Sequence, residues 1–487
     1  MKQEKLIEYL NKIGELNYLV TTLRWEMDTV APKKSFDYLI NVSTKYEMEA
    51  FDLSTSEEYI RLIEDFINSD EFNQATVEEQ RYINDLKEDY YKFKRVPKDF
   101  FEDYCKLKSN SLNTWVEAKE KNDYESFKPY LKDVIEYTKK YYQYMYPESD
   151  NLYDCMLNDF EKGIDSKFID KLFEELKNEL IPIIKNLKNK EVPKVKNVLD
   201  DTKFIEFARF LLNYIGFDNS RGALGIYTHG YTIKMNNNDV RITFSNRDNP
   251  LDSISTIVHE GGHGIFDQNI SERLTRYGTY EVSKYALHES QSRFFENILG
   301  KRKSFFVPIY DDIKKYLNID LDIDSFISCF NNAKASLVRT EADELTYCLH
   351  IIIRYEIEKD IFNGTIDLDK LPEIWNQKYQ DYLGISSDTY SKGILQDIHW
   401  SDGSFGYFPS YLLGSIFDGM LLDVVNEKVG DVDTLLSEGK IKEITKFLNE
   451  DIHQFGGAYN INEVCNRVCN KDLEVMPIVN YFKSKYE

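Results

Sequence analysis

The sequence predicts a mainly α-helical fold with one small β-hairpin near its centre. Three observations carry that expectation. Only 11 prolines interrupt 487 residues, apolar residues recur every three to four positions over long stretches, and one mid-chain segment alternates with period two. Length alone allows several domains or one large helical one. A composition 42% hydrophobic and 14% aromatic supplies a substantial core.

The elements can be justified in chain order. In the first helix Leu6, Leu10, Ile13, Val20 and Leu23 sit at helical spacing, with Lys and Glu between them. Residues 169–189 repeat the pattern, and Pro182, lacking an N–H, is expected to kink or break that helix. The polar run KNKEVPKVKNVLDD (188–201) is the best junction. It divides an N-terminal helical region, 1–200, from a second, 201–487, the two reading as one continuous domain. In HGYTIKMNNNDVRITFS (229–245) apolar residues alternate on both sides of an Asn-rich turn. Tyr231, Ile233 and Met235 share one side; Val240, Ile242 and Phe244 alternate likewise, as a hairpin requires. There is no internal repeat and no low-complexity tract.

Charge and composition exclude several functions. With 61 Lys and Arg against 84 Asp and Glu, the formal charge is −23. Such a surface repels phosphate backbones, so no nucleic acid partner is expected. The N-terminus is charged throughout, unlike a signal peptide, and no run approaches the roughly 18 apolar residues of a membrane helix. No membrane association is expected. Six scattered cysteines read as reduced thiols of a cytoplasmic protein. Cys465 and Cys469 stand one helical turn apart without the second pair that a zinc site needs.

Histidine is scarce and clustered. Six of the seven lie between His229 and His399, with His453 outside. Within IVHEGGHGI (257–265) the pattern is H-E-x-x-H. On a helix His259 and His263 share a face, so both imidazoles can bind one cation, and Glu260 beside them can take a proton from water at the metal. A third ligand should come from a second element, leaving one position open. ALHESQSRFFENIL (286–299) reads as that second helix, and Glu289 is taken as the ligand. His288 is the alternative, either as ligand or as a donor behind one. A plain Glu289–Arg293 pair one turn apart is the structural reading. The interior glycines cost roughly 2 kcal/mol of helix propensity. Pro250 with Asp252 or Ser253 nevertheless marks a helix start. Ile254, Ile257, Val258, Gly261 and Ile265 form a buried stripe, so a neighbour is expected against Gly261 or Gly262. A small sheet before such a helix also offers an edge strand to an extended peptide.

Six motifs then occur in order: DVRIT (239–243), HEGGH (259–263), HESQS (288–292), VRTEAD (338–343), GILQDIHW (393–400) and GYFPSY (406–411). With LRWEMDTVAP (23–32) they resemble the motif series of the thermostable carboxypeptidase Taq family of metallocarboxypeptidases, from about residue 6 to the C-terminus. The resemblance implies a helical, saddle-shaped peptidase with a deep groove, usually a homodimer, with region 1–200 forming part of the groove wall. It implies release of single residues from peptides with a free C-terminus, using Zn2+ or sometimes Co2+. It carries His259, His263 and Glu289 onto the metal and makes Glu260 the general base and acid.

Other motif residues take roles from chemistry. An exopeptidase must grip a terminal carboxylate, which suits the planar fork of arginine. Arg339 is the first choice and Arg241 the second, against structural ion pairs with Asp343 or Asp239. His399 and Tyr407 are candidate donors to the developing oxyanion, and Tyr411 joins the substrate-binding set. Trp400, Phe405 and Phe408 read as core or wall, and His350, within a buried helix over 341–358, as a core histidine. Two departures touch other positions: His229-Gly230-Tyr231 replaces a frequent His-Pro-Phe, and Asp418-Gly419-Met420 stands where small residues and glutamine are usual. The competing readings are a zinc oligoendopeptidase and a non-catalytic, zinc-stabilised helical scaffold. The scaffold would have no need of Glu260.

Overall fold

Helices account for 69% of the chain in a computed structural model that describes residues 1–188, 191–196, 198–280 and 284–487. Parts of the expected junction, residues 189, 190 and 197, lie outside the described residues. The first helix, Lys2–Thr29, buries Leu6, Leu10, Ile13 and Val20 as its periodicity requires. A second, Phe36–Ser54, packs along it. The helix Ser166–Lys185 runs through Pro182 without ending there. Pro182 falls in the last turn, where a single missing N–H costs little.

The sheet has three strands, β1 (Gly222–Ile226), β2 (Tyr231–Asn236) and β3 (Asp239–Phe244), in the order β1-β3-β2. β2 and β3 form the expected antiparallel hairpin, with an irregularity between Lys234 and Asn236. β1, which pairs parallel to β3, was not foreseen. Its sequence, GALGI, carries two glycines and no alternation of polarity. Val240, Ile242 and Phe244 face the core. On the other side Tyr231 donates to Asp28 at 2.7 Å and meets Trp25 edge-on, so LRWEMDTVAP braces the sheet.

The H-E-x-x-H segment lies on a helix, Pro250–Gln268, buried along most of its length. Its cap is Asn249, accepting from Leu251 N–H at 3.2 Å, and not Asp252 or Ser253. The glycines are packing positions. A Cβ at Gly261 would lie 2.6 Å from the ends of Ile215 and Leu212, and one at Gly262 would lie 2.7 Å from Ser292 Cα. Gly262 therefore lets the backbone of a second helix, Tyr285–Arg293, touch the first. That second helix continues as a π-helical turn, Phe294–Leu299.

The buried helix expected over 341–358 begins later, at Tyr347, and runs to Phe362. Asp343 explains the delay: its carboxylate accepts the N–H groups of Leu345 and Thr346, both at 3.0 Å, and holds them in a turn. His350 is a core histidine, fully buried and bonded to Tyr379 at 2.9 Å. The helix Phe408–Lys428 is long and apolar enough to cross a membrane, but most of it is buried inside the fold. One set of packed side chains reaches from Leu6 to Phe482, and all six cysteines are unpaired.

Candidate metal centre and its cavity

A cavity of about 570 Å³ opens beside the H-E-x-x-H helix, and its described lining residues fall between His229 and Tyr411. At one wall His259, His263 and Glu289 each bring a ligand atom within 4.8 Å of the other two. Two imidazoles and one carboxylate are a donor set that suits a tetrahedral divalent cation with one open position. The donors are also unspent. His263 Nδ1 and Glu289 Oε2 are buried without hydrogen-bond partners. Arg293 Nε approaches Glu289 Oε2 at 3.4 Å, but that nitrogen has no aligned partner either. The residues present therefore fit a metal ion.

The neighbours orient this set. His259 Nδ1 and Glu296 Oε2 are 2.9 Å apart, which leaves Nε2 of the ring for a metal. Glu296 follows Glu289 by seven residues, about two helical turns, and so returns to the same side. The His288 ring stacks on His263 with centroids 4.2 Å apart and reaches Asp267 at 3.3 Å. His288 thus supports the site from behind.

Burial and paired charges set the protonation states. Burial alone would lower His259, but the Glu296 carboxylate and the charges of Glu260 and Glu289 raise it to about 8. Burial, then the charges of His288 and His259, push His263 well below its ordinary value. Burial would raise Glu296, but the bonded His259, with Lys301 and Arg293, brings it down to about 2. Burial raises the Glu260 carboxyl, against the pull of His259 and Thr232. Thr232 Oγ1 donates to Glu260 Oε2 at 2.7 Å, so β2 aims this carboxylate.

Arg339, Tyr411 and Tyr347 line another wall of the same cavity. Arg339 Nε donates to Asp397 at 2.9 Å and Nη1 donates to the Tyr347 hydroxyl at 2.9 Å. Asp397 also accepts from Arg354 Nε at 2.6 Å. Burial would raise Asp397, but these two guanidinium groups hold it far below the usual carboxylate range. The other expected residues lie off the cavity. Arg241 is held bidentately by Asp239 at 2.9 and 2.8 Å, the structural pairing weighed for it. His399 and Tyr407 stand behind Tyr411: His399 Nε2 is 3.4 Å from its hydroxyl, and the two tyrosine rings are 5.0 Å apart. Burial, with Arg339 nearby, lowers His399 to about 4.

Residues 5–486 match the carboxypeptidase Taq (M32) metallopeptidase family. The chain belongs to that family. Carboxypeptidase 1 of Bacillus subtilis is 34% identical over 99% of this chain and 98% of its own length. A solved carboxypeptidase of Pyrococcus furiosus superposes with a TM-score of 0.92 at 27% identity, covering 100% of this chain and 99% of its own. In fold, an M32 carboxypeptidase from Deinococcus radiodurans superposes at a TM-score of 0.94, 22% identical, over 100% of this chain and 98% of its own. This metallocarboxypeptidase is thus a peptide hydrolase, and the endopeptidase and scaffold readings fall away.

Sequence reasoning missed several residues of this carboxypeptidase's cavity. Tyr347 binds Arg339 and carries the Arg293 guanidinium 4.1 Å from its ring centroid. Arg247, Lys301 and Glu296 also line the cavity. Of these only Glu296 left a signal, two turns beyond Glu289 in a single apolar-polar helix pattern. Thr232 could have been found from its place on the hairpin's polar face.

Proposed function

We propose that this carboxypeptidase is a zinc enzyme with His259, His263 and Glu289 as ligands, Glu260 as general base and acid, and Arg339 as the anchor of the substrate's terminal carboxylate. The convergence of three ligand atoms within 4.8 Å, in the cavity that Arg339 also lines, carries this reading. A zinc ion held by these three residues would supply Lewis-acid polarisation of the scissile carbonyl and of the attacking water, and cobalt would suit the same donors.

The remaining work falls to the chain's own residues. Glu260, its pKa raised by burial, takes the proton of the attacking water and returns it to the leaving amine. Arg339 is fixed through Nε and Nη1, so Nη2 is the arm left for the substrate carboxylate. The Tyr411 hydroxyl, in the cavity wall, donates to the developing oxyanion in place of His399 or Tyr407. The free edge of β2 starts just after Gly230 and offers backbone groups to an extended peptide. Residues 1–200 brace this catalytic region from behind, through Trp25 and Asp28. Resemblance of the motifs supports a homodimer, and sedimentation equilibrium tests it.

The deciding experiment compares a peptide with a free C-terminus and its amidated twin. Loss of single residues from the free acid only, abolished by chelation and restored by zinc, is expected. Internal cleavage of both peptides would overturn the reading.

A further inference from the structure

We infer that Glu161 is a positioning residue for the metal site: it caps the helix that carries Glu289 and ties it to the helix that carries Tyr411. The inference rests on Glu289 being a metal ligand, as proposed above.

Glu161 ends the helix Leu152–Phe160 and is 2% exposed. Its Oε1 accepts the N–H of Ala286 at 2.5 Å. Ala286 lies in the first turn of Tyr285–Arg293, and Lys284 at the N-cap supplies no side-chain cap. A first turn presents unpaired N–H groups and the positive end of the helix dipole, so a carboxylate is its natural partner. Here the carboxylate comes from a distant part of the chain, and Glu289 follows one turn later.

The second oxygen points to a third element. Glu161 Oε2 and Ser410 Oγ are both sealed from solvent without an aligned hydrogen-bond partner. They are neighbours, because the Ser410 hydroxyl acts on the Glu161 carboxyl. Rotation of that hydroxyl pairs them. Ser410 stands in the first turn of Phe408–Lys428, immediately before Tyr411.

Apolar contacts repeat the same junction. Phe160, Tyr285 and Tyr407 form a closed triangle with ring centroids 5.8, 5.1 and 5.3 Å apart. A Cβ at Gly414 would lie 2.6 Å from Ala286 O, so the two long helices touch by backbone. Such packing fixes the distance between helices, but it is non-directional. Directional bonds also hold the Glu289 helix, among them Ala286 N–H to Glu161 at its start and Ser290 Oγ to Asp418 Oδ1 at 2.7 Å one turn on. Burial raises the Glu161 carboxyl to about 7, against Ala286 N–H, Ser410 and Lys284. Either protonation state offers Ala286 an acceptor oxygen.

Two near-isosteric variants test the inference. Glu161→Gln keeps an acceptor for Ala286 and a donor for Ser410, whereas Glu161→Met fills the space with neither. Zinc affinity by chelator competition, kcat and KM on a free-acid peptide, and helical circular dichroism are measured for both. Glu161→Gln should stay within about twofold of wild type throughout. Glu161→Met should bind zinc roughly tenfold more weakly, with kcat down by a similar factor, KM nearly unchanged and helicity retained. Equal zinc affinity in the two variants overturns the inference. So does a Glu161→Met protein that cannot fold, because Glu161 would then serve the fold alone. A wild-type protein that binds no zinc defeats the proposed function instead.

Discussion

The two walls of the cavity treat charge in opposite ways. On the histidine wall, His263 Nδ1 and Glu289 Oε2 are buried without partners, and Glu260 is held by a single threonine side chain. On the arginine wall, Asp397 accepts from both Arg339 and Arg354, and Gln396 Oε1 takes Arg339 N–H at 2.8 Å and Arg354 Nη2 at 2.7 Å. Unpaired buried donors and acceptors weaken a fold, so the first wall holds binding capacity in reserve. The second wall uses its capacity to fix a guanidinium before any substrate arrives. Substitutions on the histidine wall should therefore damage chemistry with little loss of stability, and those on the arginine wall should damage binding and stability together.

The largest expected effect sharpens the first half of that contrast. Glu260→Gln should lower kcat by roughly 10³-fold, near the upper range for removing a general base, while zinc content and melting temperature stay close to wild type. An active variant would break the assignment. Next in size, Arg339→Met should lower kcat/KM for free-acid peptides by roughly 100-fold, chiefly through KM, as expected for losing a charge-assisted bond. It should also lower the melting temperature, because Asp397 then keeps only Arg354. If stability were untouched while KM rose, the two walls would be less different than their hydrogen bonds indicate.

The histidine wall was the more legible from the sequence, and the reason is physical. His259, Glu260 and His263 are set by one helical turn, and Glu289 by the next helix, so local spacing brings the four together. Glu296 left its periodic signal two turns beyond Glu289, but spacing alone does not say that this carboxylate turns to the Nδ1 of His259 on another helix. The arginine wall depends on long-range pairing. Arg339 was named from its motif, but nothing local reveals that Asp397, 58 positions later, holds its guanidinium. The same holds for β1, whose parallel pairing to β3 is invisible in a glycine-rich pentapeptide, and for the late helix start after Asp343. His399 and Tyr407 lie against Tyr411 and outside the described cavity lining, a placement set by packing and not by local spacing.

Asp397→Asn tests the stability half of the comparison. Removing one partner from a buried ion cluster costs about 3 kcal/mol, since Arg339 and Arg354 lose their shared counter-charge. The Asp397 carboxyl is depressed in the folded state. Its stabilisation is therefore present above the ordinary carboxylate range near pH 4 and is lost as pH falls below it. Urea unfolding at pH 7 should show the full deficit in the variant, and the gap to wild type should narrow towards pH 3. A constant gap at both values would place the stabilisation elsewhere.

The smallest expected effect concerns His399, the residue that sequence alone put at the chemistry. Behind Tyr411, it touches that hydroxyl at 3.4 Å, a separation too long for a strong bond. Burial, with Arg339 nearby, brings its pKa to about 4, so the ring is neutral throughout the working range and has no proton to exchange there. His399→Asn should thus cost only about threefold in kcat by loosening Tyr411, and it should leave the pH–rate profile between pH 5 and 9 in place. A proton-donating His399 would show itself by a shifted limb in that profile and a loss approaching that of Glu260→Gln. In that event the oxyanion donor would sit one layer deeper than Tyr411, and the arginine wall would take part in the chemistry as well as in binding.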